Sequence, residues 1–219
     1  YRVIPTGMAH GTVTVLVPDP ERGGRMAVEC TTCRTEGGYS DGRHPDSVAF
    51  TGLIEDDLSR RDFTVNALAI TAVEGGFALI DLFGGREDLG KGIIRCVGDP
   101  HTRLTEDALR ILRAVRFAVK LGFEIDPATR QALMDCAHGL SRISRERIRD
   151  EFEKTLCSPD PVRGVCLLEE LGLMPYVLPY GISLNGTGDL TVLPSRLPLR
   201  LACLMWGMDT ADVRENLAG

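Results

Sequence analysis

The sequence has no apolar run approaching the length of about 20 residues that a helix needs to cross a lipid bilayer. It also has no recognisable secretory signal, internal repeat or low-complexity tract, although a chain that begins at Tyr1 says little about its own start. A hydrophobic content of 43% and a charged content of 26% are ordinary for a globular protein. We therefore expect a cytoplasmic protein without membrane contact, folded as one large or two small domains.

Cysteine pairs of the kind that bind zinc are scarce. Cys30 and Cys33 form a single CxxC motif, whereas a structural zinc site needs about four ligands, and no second pair lies at a suitable spacing. The neighbouring residues alternate as in a β-strand, so we favour a strand over a metal site. The total of seven cysteines is odd, and most lie in apolar patterns, which is typical of reduced thiols in a cytoplasm.

Net positive charge, a common sign of nucleic-acid binding, is missing, since the formal net charge is −6. The average hides a gradient along the chain. Residues 1–100 carry 10 basic and 15 acidic side chains, a net charge of −5, whereas residues 101–157 carry 11 and 9, a net charge of +2. Any contact with a polyanion is therefore expected in the middle third of the chain.

The pattern of the chain changes near Pro100. Before it, short β-branched or apolar runs between Gly- and Pro-containing turns predict strands at residues 11–18, 26–34, 77–83 and 93–97. After it the periodicity is helical, and helix-start signals stand at Asp126-Pro127, Ser144 and Pro161. We therefore predict an α+β fold, mixed in its first hundred residues and all-helical afterwards.

The segment Glu106–Phe117, EDALRILRAVRF, combines strong helix formers with charged side chains and has no Gly or Pro. We predict a helix from its first residue, with Thr105 as the N-cap. Asp107 and Arg110 lie three residues apart on neighbouring parts of one face. Further arginines follow at the same step, at Arg113 and Arg116. Apolar residues fill the gaps, so the helix should be buried and its charges should need partners. A phosphorylated ligand would be such a partner. The alternative is an Asp107–Arg110 ion pair with the other arginines reaching solvent.

Six segments, in order and at compatible spacing over roughly residues 1–175, together resemble the motifs of one enzyme family. They are TGMAHGTVTV (6–15), RRDFTVNALA (60–69), DLFGGREDL (81–89), IRCVGDP (94–100), EDALRILRAVRF (106–117) and SRISRERIRDEFEKTL (141–156). The family is that of the class II tRNA nucleotidyltransferases, the CCA-adding enzymes, and bacterial poly(A) polymerases share much of this pattern. Each motif alone is modest, but six in sequence are highly specific.

The resemblance implies a partial polymerase-β-like nucleotidyltransferase head at residues 1–100, a helical nucleotide-binding neck at residues 101–175, and a linker with the start of a helical body at residues 176–219. It also implies addition of CTP and ATP to a tRNA 3′ end without a nucleic-acid template, using Mg²⁺. A poly(A) polymerase or a partial adder of C or A is the alternative within the class, because the pocket residues are shared. A non-catalytic nucleotide- or RNA-binding module is the alternative from another class.

In this family resemblance Asp107 and Arg110 select the base, and their chemistry agrees with that role. Cytosine and adenine both present an amino donor beside a ring-nitrogen acceptor, so a carboxylate can accept from the amino group while a guanidinium donates to the ring nitrogen. Guanine and uracil reverse the pattern and leave both protein groups mispaired. Each buried polar group left unmatched costs roughly 1–3 kcal/mol.

The other nucleotide-binding residues implied by the resemblance lie at the phosphate and ribose end. Arg113 and Arg116 match positions on the phosphate side, a role that suits the planar guanidinium because it donates bidentately to phosphate oxygens. Arg61 and Asp62 match triphosphate and ribose contacts, and Asn66 belongs to the same motif. The alternative for this motif is a helix N-terminus, with Asp62 as the cap and Arg61 on the surface.

Candidate RNA-binding residues are Arg142 and Arg145, within a basic cluster that also contains Arg147 and Arg149. Acidic residues alternate with this cluster, so a solvated, salt-bridged face is at least as strong an interpretation as an RNA contact.

The family's first motif, a Gly-Gly loop followed by a strand with Asp-x-Asp, is not found in the sequence. Those aspartates bind a two-metal centre, and we expect them upstream of Tyr1. We therefore predict no catalytic or metal-binding residue in this chain, and no activity of the chain alone. We also expect the incomplete head to expose an unpaired sheet edge, which favours association into a homodimer.

Overall fold

The computed structural model describes residues 1–8, 11–37, 47–182 and 190–217 of the chain. Residues 9 and 10 of the first motif and residues 183–189 of the predicted linker lie outside this description. The described residues up to Arg60 form one compact unit, and those from Arg61 onward form a second. Strands dominate the first unit and helices the second, so the predicted α+β class is confirmed. No helix within the described ranges is long and apolar enough to cross a membrane.

The first unit contains a three-stranded antiparallel sheet and a hairpin. The sheet consists of β1 (Arg2–Gly7), β2 (Thr12–Pro18) and β3 (Arg25–Thr31), with β2 at its centre. The hairpin pairs β4 (Arg34–Gly37) with β5 (Ser47–Phe50), and α1 (Ile54–Ser59) follows it.

Two strands of this sheet form where the sequence predicts them, and the third does not. The Val and Thr side chains of β2 suit extended backbone, and β2 pairs with β3 across a turn in which the Asp19 carboxylate accepts two backbone N–H groups. β1 was missed because Pro5 interrupts its run. The structure accommodates Pro5 in an outer strand, where the pairing with β2 is irregular between Ile4 and Gly7.

The sheet of the first unit buries little. Thr14 is the one buried residue in its three strands. In the described part of the chain β1 and β3 are outer strands that pair with no further strand. The edge expected from an incomplete head, and the association it would favour, stay predictions.

The second unit begins with a short 3₁₀ turn at Thr64–Asn66, followed by a hairpin of β6 (Leu68–Val73) and β7 (Gly76–Asp81) and by α2 (Gly85–Lys91). Gly85 packs so closely on the 3₁₀ turn that a Cβ there would lie 2.2 Å from the carbonyl oxygen of Thr64. The Asp81 carboxylate accepts the N–H groups of Gly85 and Arg86 at 2.8 and 3.0 Å. The hydrogen bond from Arg86 is the main cause that lowers the pKa of Asp81.

Helices form the rest of the second unit. They are α3 (Pro100–Glu106), α4 (Leu109–Leu121), α5 (Pro127–Asp135), α6 (Arg145–Leu156), α7 (Pro161–Glu170), α8 (Met174–Val177), α9 (Leu197–Leu204) and α10 (Thr210–Leu217). Among them, β8 (Ile93–Ile94) pairs in parallel with β9 (Glu124–Ile125). The strand predicted at residues 93–97 is thus shorter than expected, and α10 was not predicted.

Three of these helices begin with the same Asp-Pro signal. Asp99, Asp126 and Asp160 each accept a hydrogen bond from the backbone N–H three residues later, at 2.8, 3.1 and 3.0 Å. The proline that follows each aspartate stands at the start of the helix, where its missing N–H costs nothing. The predicted helix starts at Pro127 and Pro161 are confirmed. α6 also starts after Ser144 as predicted, but the Ser144 side chain makes no capping hydrogen bond.

The core of the second unit is built around α4, which packs against α6 and α7. Ile111, Ala114, Val115 and Ala118 on α4 are fully buried. α6 and α7 also approach closely, since a Cβ on Gly164 would lie 2.7 Å from Cγ2 of Thr155. The absence of a side chain at Gly164 lets the backbones of α6 and α7 come together. The burial predicted for the segment that forms α4 is confirmed.

Arg200 on α9 joins the end of α6 to the last part of the chain. Its side chain is buried, and Nη1 donates to the carbonyl oxygens of Leu156 and Ser158 at 2.5 and 2.9 Å. Nη2 donates to the carbonyl oxygen of Leu193 at 3.2 Å. A guanidinium thus satisfies carbonyl groups that α6 leaves unpaired at its C-terminus.

Candidate functional site

The helix predicted from Glu106 is interrupted at Asp107, which corrects the sequence interpretation. α3 ends at Glu106, Asp107 is extended with φ −142° and ψ 103°, and α4 begins at Leu109. Oδ1 of Asp107 accepts the backbone N–H of Leu109 at 3.1 Å. Short acidic side chains compete in this way for backbone donors and favour helix ends over helix interiors. Thr105 is therefore not the N-cap, because it lies inside α3: Ala108 is the N-cap residue of α4, and the Asp107 side chain supplies the acceptor for the Leu109 N–H.

Asp107 immediately precedes α4 and Arg110 lies in its first turn, and each side chain has a partner outside this pair. Oδ2 of Asp107 instead accepts from Nη2 of Arg147 on α6 at 3.1 Å. Nη1 of Arg110 donates to Oε2 of Glu106 at 2.6 Å and to the carbonyl oxygen of Arg103 at 2.8 Å. Arg147 thus contacts Asp107, and Glu106 contacts Arg110.

The Asp62 carboxylate brings together residues from two motifs far apart in the sequence. Its Oδ2 accepts from Arg113 on α4, at 2.8 Å from Nε and 2.6 Å from Nη2. Its Oδ1 accepts from Nδ2 of Asn66 at 3.1 Å and from the N–H of Phe63 at 2.9 Å. The structure therefore places Asp62, Asn66 and Arg113 in one cluster, and their nucleotide-binding roles stay predictions.

Arg116 pairs with a different acid. Its Nε donates to Oε2 of Glu151 on α6 at 2.6 Å, and both side chains are mostly buried. The Cζ atom of Arg116 lies 4.2 Å from the centre of the Phe117 ring, close enough for a cation–π interaction. This pair ties α4 to α6.

The remaining predicted residues are Arg61, Arg142 and Arg145. Arg61 is exposed next to Asp62, and Arg142 is exposed at the end of the 3₁₀ segment Ala137–Arg142. Nη1 of Arg145 donates to the carbonyl oxygen of Tyr176 at 2.9 Å, at the C-terminal end of α8. Arg145 therefore has a structural contact, and the RNA-binding roles of Arg142 and Arg145 stay predictions.

Several residues of this site were missed by the sequence interpretation. They are arginines and glutamates that form hydrogen bonds or ion pairs around the predicted side chains, namely Arg103, Glu106, Arg147 and Glu151. Glu106 could have been found, because it lies one helical turn before Arg110. Arg147 and Glu151 are 40 and 35 residues from their partners, so no local pattern could have paired them.

The described residues do not form a metal centre. Within residues 1–8, 11–37, 47–182 and 190–217, no group of three or more His, Cys, Asp or Glu side chains is placed to hold a metal ion. All seven cysteines are free. Burial raises the pKa of the Cys96 thiol to about 12, which makes it a poor thiolate ligand or nucleophile.

A groove of about 170 Å³ lies elsewhere in the second unit, between α6, α8, α9 and α10. Its lining is mostly apolar, with Ile148, Phe152 and Leu201 among its walls, and Arg145 and Arg149 also line it. The predicted nucleotide-binding residues do not line this groove. Arg110, Arg113 and Arg116 lie along α4 instead, and Asp62 pairs with Arg113.

Two family profiles match the sequence. The profile described as "Poly A polymerase head domain" matches residues 1–95. The profile described as "Probable RNA and SrmB- binding site of polymerase A" matches residues 122–183, which include α5 to α8.

Curated proteins and solved structures that resemble the chain are CCA-adding enzymes. The chain is 46% identical over 180 residues to the CCA-adding enzyme of Leuconostoc mesenteroides, covering 82% of this chain and 42% of that protein. It is 43% identical over 225 residues to the CCA-adding enzyme of Limosilactobacillus fermentum, covering 100% of this chain and 54% of that protein. The crystal structure of the Bacillus stearothermophilus CCA-adding enzyme in complex with CTP is similar to all of this chain, with 37% identity and a TM-score of 0.69, over 55% of that structure. The chain thus spans about half the length of the relatives it matches.

Proposed function

We propose, from the premise that the chain belongs to the family of CCA-adding enzymes and bacterial poly(A) polymerases, that it supplies the nucleotide-binding part of an enzyme that adds CTP and ATP to tRNA 3′ ends without a template. The relatives named CCA-adding enzyme and the similarity to a complex with CTP support this proposal. The observation that carries it is the interruption at Asp107, because Asp107 immediately precedes α4, Arg110 lies in its first turn, and most of α4 is buried.

Base choice follows from what these two groups can donate and accept. The carboxylate of Asp107 only accepts, and the guanidinium of Arg110 only donates. Together they match the amino donor and ring-nitrogen acceptor that cytosine and adenine share, and they mismatch guanine and uracil. One pair of side chains can therefore accept both nucleotides of a CCA end.

At the phosphate end we propose that Arg61, Arg113 and Arg116 neutralise the triphosphate, with Asp62 and Asn66 toward the ribose. Arg113 is the most exposed member of the ion pairs on α4, with 34% of its side chain accessible, so it is the arginine best placed to exchange its acid for a phosphate. Arg116 is only 12% accessible. We expect Arg116 to attract the triphosphate from a greater distance than Arg113, without direct contact.

We propose the division of the chain into a head at residues 1–100, a neck at residues 101–175, and a linker with the start of a helical body at residues 176–219. The head-domain profile at residues 1–95 supports the first boundary. All the proposed nucleotide-binding residues on α4 belong to the neck in this division.

Nucleotidyltransferases of this family generally need a divalent metal ion. Within the part of the chain that the structure describes, no group of three or more His, Cys, Asp or Glu side chains is placed to hold such an ion. We propose that the metal of the whole enzyme is Mg²⁺, and that this chain alone binds nucleotides but adds none to tRNA.

For the RNA partner, we propose that Arg142 and Arg145 contact the tRNA near its 3′ end. Both lie within residues 122–183, which match the RNA-binding profile. We further propose a cytoplasmic location, which the seven free cysteines favour. Association of two copies through the outer strands β1 and β3 is proposed on the basis of their unpaired backbone groups.

A second candidate, a poly(A) polymerase, is favoured by the description of the head-domain profile. Such an enzyme would accept ATP and discriminate against CTP. The titrations that test the first proposal also separate it from this one, because they compare the two nucleotides directly.

The experiment measures nucleotide binding to the 219-residue chain by calorimetry with CTP, ATP, UTP and GTP. We expect CTP and ATP to bind more tightly than UTP and GTP. Asp107→Ala should reduce the preference for CTP over UTP by about tenfold, because a mismatched polar group costs about 1.4 kcal/mol. Arg113→Ala should weaken all four nucleotides about equally, because phosphate contacts carry no base information. An unchanged CTP-to-UTP ratio in Asp107→Ala would show that Asp107 does not select the base.

A further inference from the structure

Arg147 approaches the Asp107 carboxylate from outside the α3–α4 segment. It lies on α6, 40 residues later in the chain, and its Nη2 donates to Oδ2 of Asp107 at 3.1 Å. Both side chains are largely buried, with 24% of Arg147 and 19% of Asp107 accessible. Asp107 is thus accessible enough to meet a ligand while it is paired with Arg147.

Asp107 is the single hydrogen-bond partner of the Arg147 side chain within the part of the chain that the structure describes. The other terminal nitrogen, Nη1, is buried and makes no hydrogen bond to the described residues. When a partly buried guanidinium has one acceptor, the hydrogen bond to that acceptor sets the orientation of the guanidinium. The same hydrogen bond also restrains the orientation of the acceptor. The pair therefore fixes the orientation of both groups.

The two oxygens of Asp107 are held from two directions. Oδ1 accepts the backbone N–H of Leu109, and Oδ2 accepts from Arg147. A carboxylate offers about four acceptor positions, so both oxygens keep capacity for a donor from a ligand while the rotation of the group is fixed. This is the arrangement that a base-reading carboxylate needs, because it must present an acceptor without reorienting toward a wrong base.

We propose that Arg147 is a positioning residue for base selection, which holds the Asp107 carboxylate in the orientation that accepts from the amino group of cytosine or adenine. The inference rests on the proposed function. Arg147 touches no base in this scheme and acts through Asp107. Without it, the carboxylate is held only by the Leu109 N–H and can turn to accept from the ring N–H of uracil or guanine.

The test is the ratio of CTP to UTP dissociation constants for the 219-residue chain, measured by calorimetry together with thermal melting by circular dichroism. Arg147→Met removes the donor and the charge while keeping the apolar stem, and it should lower the CTP preference about fivefold. Arg147→Lys keeps a charged donor and should recover at least half of that preference. Arg149→Met is the matched control, since it removes the same charge from the same helix at an exposed position, and its ratio should equal that of the parent.

A purely structural role would lower the melting temperature of Arg147→Met without moving the CTP-to-UTP ratio, and that result would overturn the inference while leaving the proposed function intact. A parent chain that binds CTP and UTP equally would overturn both. If Arg147→Met does not fold, Arg147→Gln, which keeps a neutral donor of similar shape, decides between the two. A reduced ratio in that variant supports the positioning role, and an unchanged ratio contradicts it.

Discussion

The two units of this protein differ most in how much they bury. In the three-stranded sheet of the first unit Thr14 is the one buried residue, whereas α4 alone in the second unit buries seven of its 13 residues. The side chains proposed to bind a nucleotide all belong to the second unit. The difference teaches that the arginines and acids of this site are oriented by a packed helical core, because a shallow sheet could not restrain long charged side chains.

Burial also changes what an ion pair does. The Arg116–Glu151 pair is 12% and 5% accessible, whereas the Lys91–Glu87 pair on α2 is 59% and 69% accessible. The two pairs have the same 2.6 Å separation. The two ion pairs therefore differ in exposure to solvent but not in the distance between their charged atoms. Comparing them tests how burial changes the contribution of an ion pair to stability.

The sharpest test of the contrast compares one apolar truncation in each unit. Ile111→Ala removes a fully buried side chain from α4 and should lower the free energy of unfolding by about 4 kcal/mol, since it leaves a cavity as well as losing apolar burial. Val15→Ala on β2 removes a partly exposed side chain and should cost below about 1 kcal/mol. Urea denaturation followed by circular dichroism measures both. Equal losses in the two variants would show that the sheet is packed as tightly as the helices.

The next test concerns the buried charges. Glu151→Gln leaves Arg116 buried without its carboxylate and should destabilise the protein by about 3 kcal/mol. Glu87→Gln, the matched control at an exposed pair, should change the free energy of unfolding by less than about 0.5 kcal/mol. The same denaturation experiment measures both variants. If the Glu151 variant behaved like the control, solvent would have to reach Arg116 far more readily than its burial indicates.

The smallest expected effect is a pH dependence at the start of α2. The N–H groups of Arg86 and Gly85 lower the pKa of Asp81, so its contribution to stability is present above the unfolded value of about 3.9 and is lost as the pH falls through the lower folded value. Asp81→Asn should therefore be less stable than the parent at pH 7, with the difference shrinking below about pH 4. Melting curves over this pH range measure the effect, with Glu74→Gln in the exposed β6–β7 turn as the control. A difference that stays constant down to pH 2 would rule out the carboxylate as its source.

Local signals in the sequence predicted much of the fold. The Asp-Pro pairs at Asp126 and Asp160 mark helix starts because one residue supplies the capping acceptor and the next lacks the N–H that would go unpaired. The β-branched run of β2 likewise marks a strand. β1 was missed because its proline normally argues against a strand, and only its place at the outside of the sheet makes Pro5 acceptable.

The sequence proposes members for the candidate site, but it does not predict the contacts that hold them. The segment from Glu106 has no Gly or Pro, so the one local sign that the chain leaves the helix is Asp107 itself, a residue type that favours helix ends. The interruption depends on the competition of one carboxylate for a backbone N–H and on Arg147, which the sequence places 40 residues away. Pairings of that kind arise from the packing of α4 on α6, and they cannot be predicted from the spacing of residues in the sequence.

The buried side chain of Arg200 has a practical consequence for dividing this protein. A fragment that stopped near residue 175 would keep α6 entire, yet it would discard the guanidinium that occupies the carbonyl groups of Leu156 and Ser158. Those carbonyl groups would then need hydrogen bonds from water at the surface that the removal of α9 exposes. Whoever trims the chain to obtain a minimal crystallisable or NMR-sized nucleotide binder should therefore cut after α9, even though every residue proposed to touch a nucleotide lies more than 80 positions before Arg200.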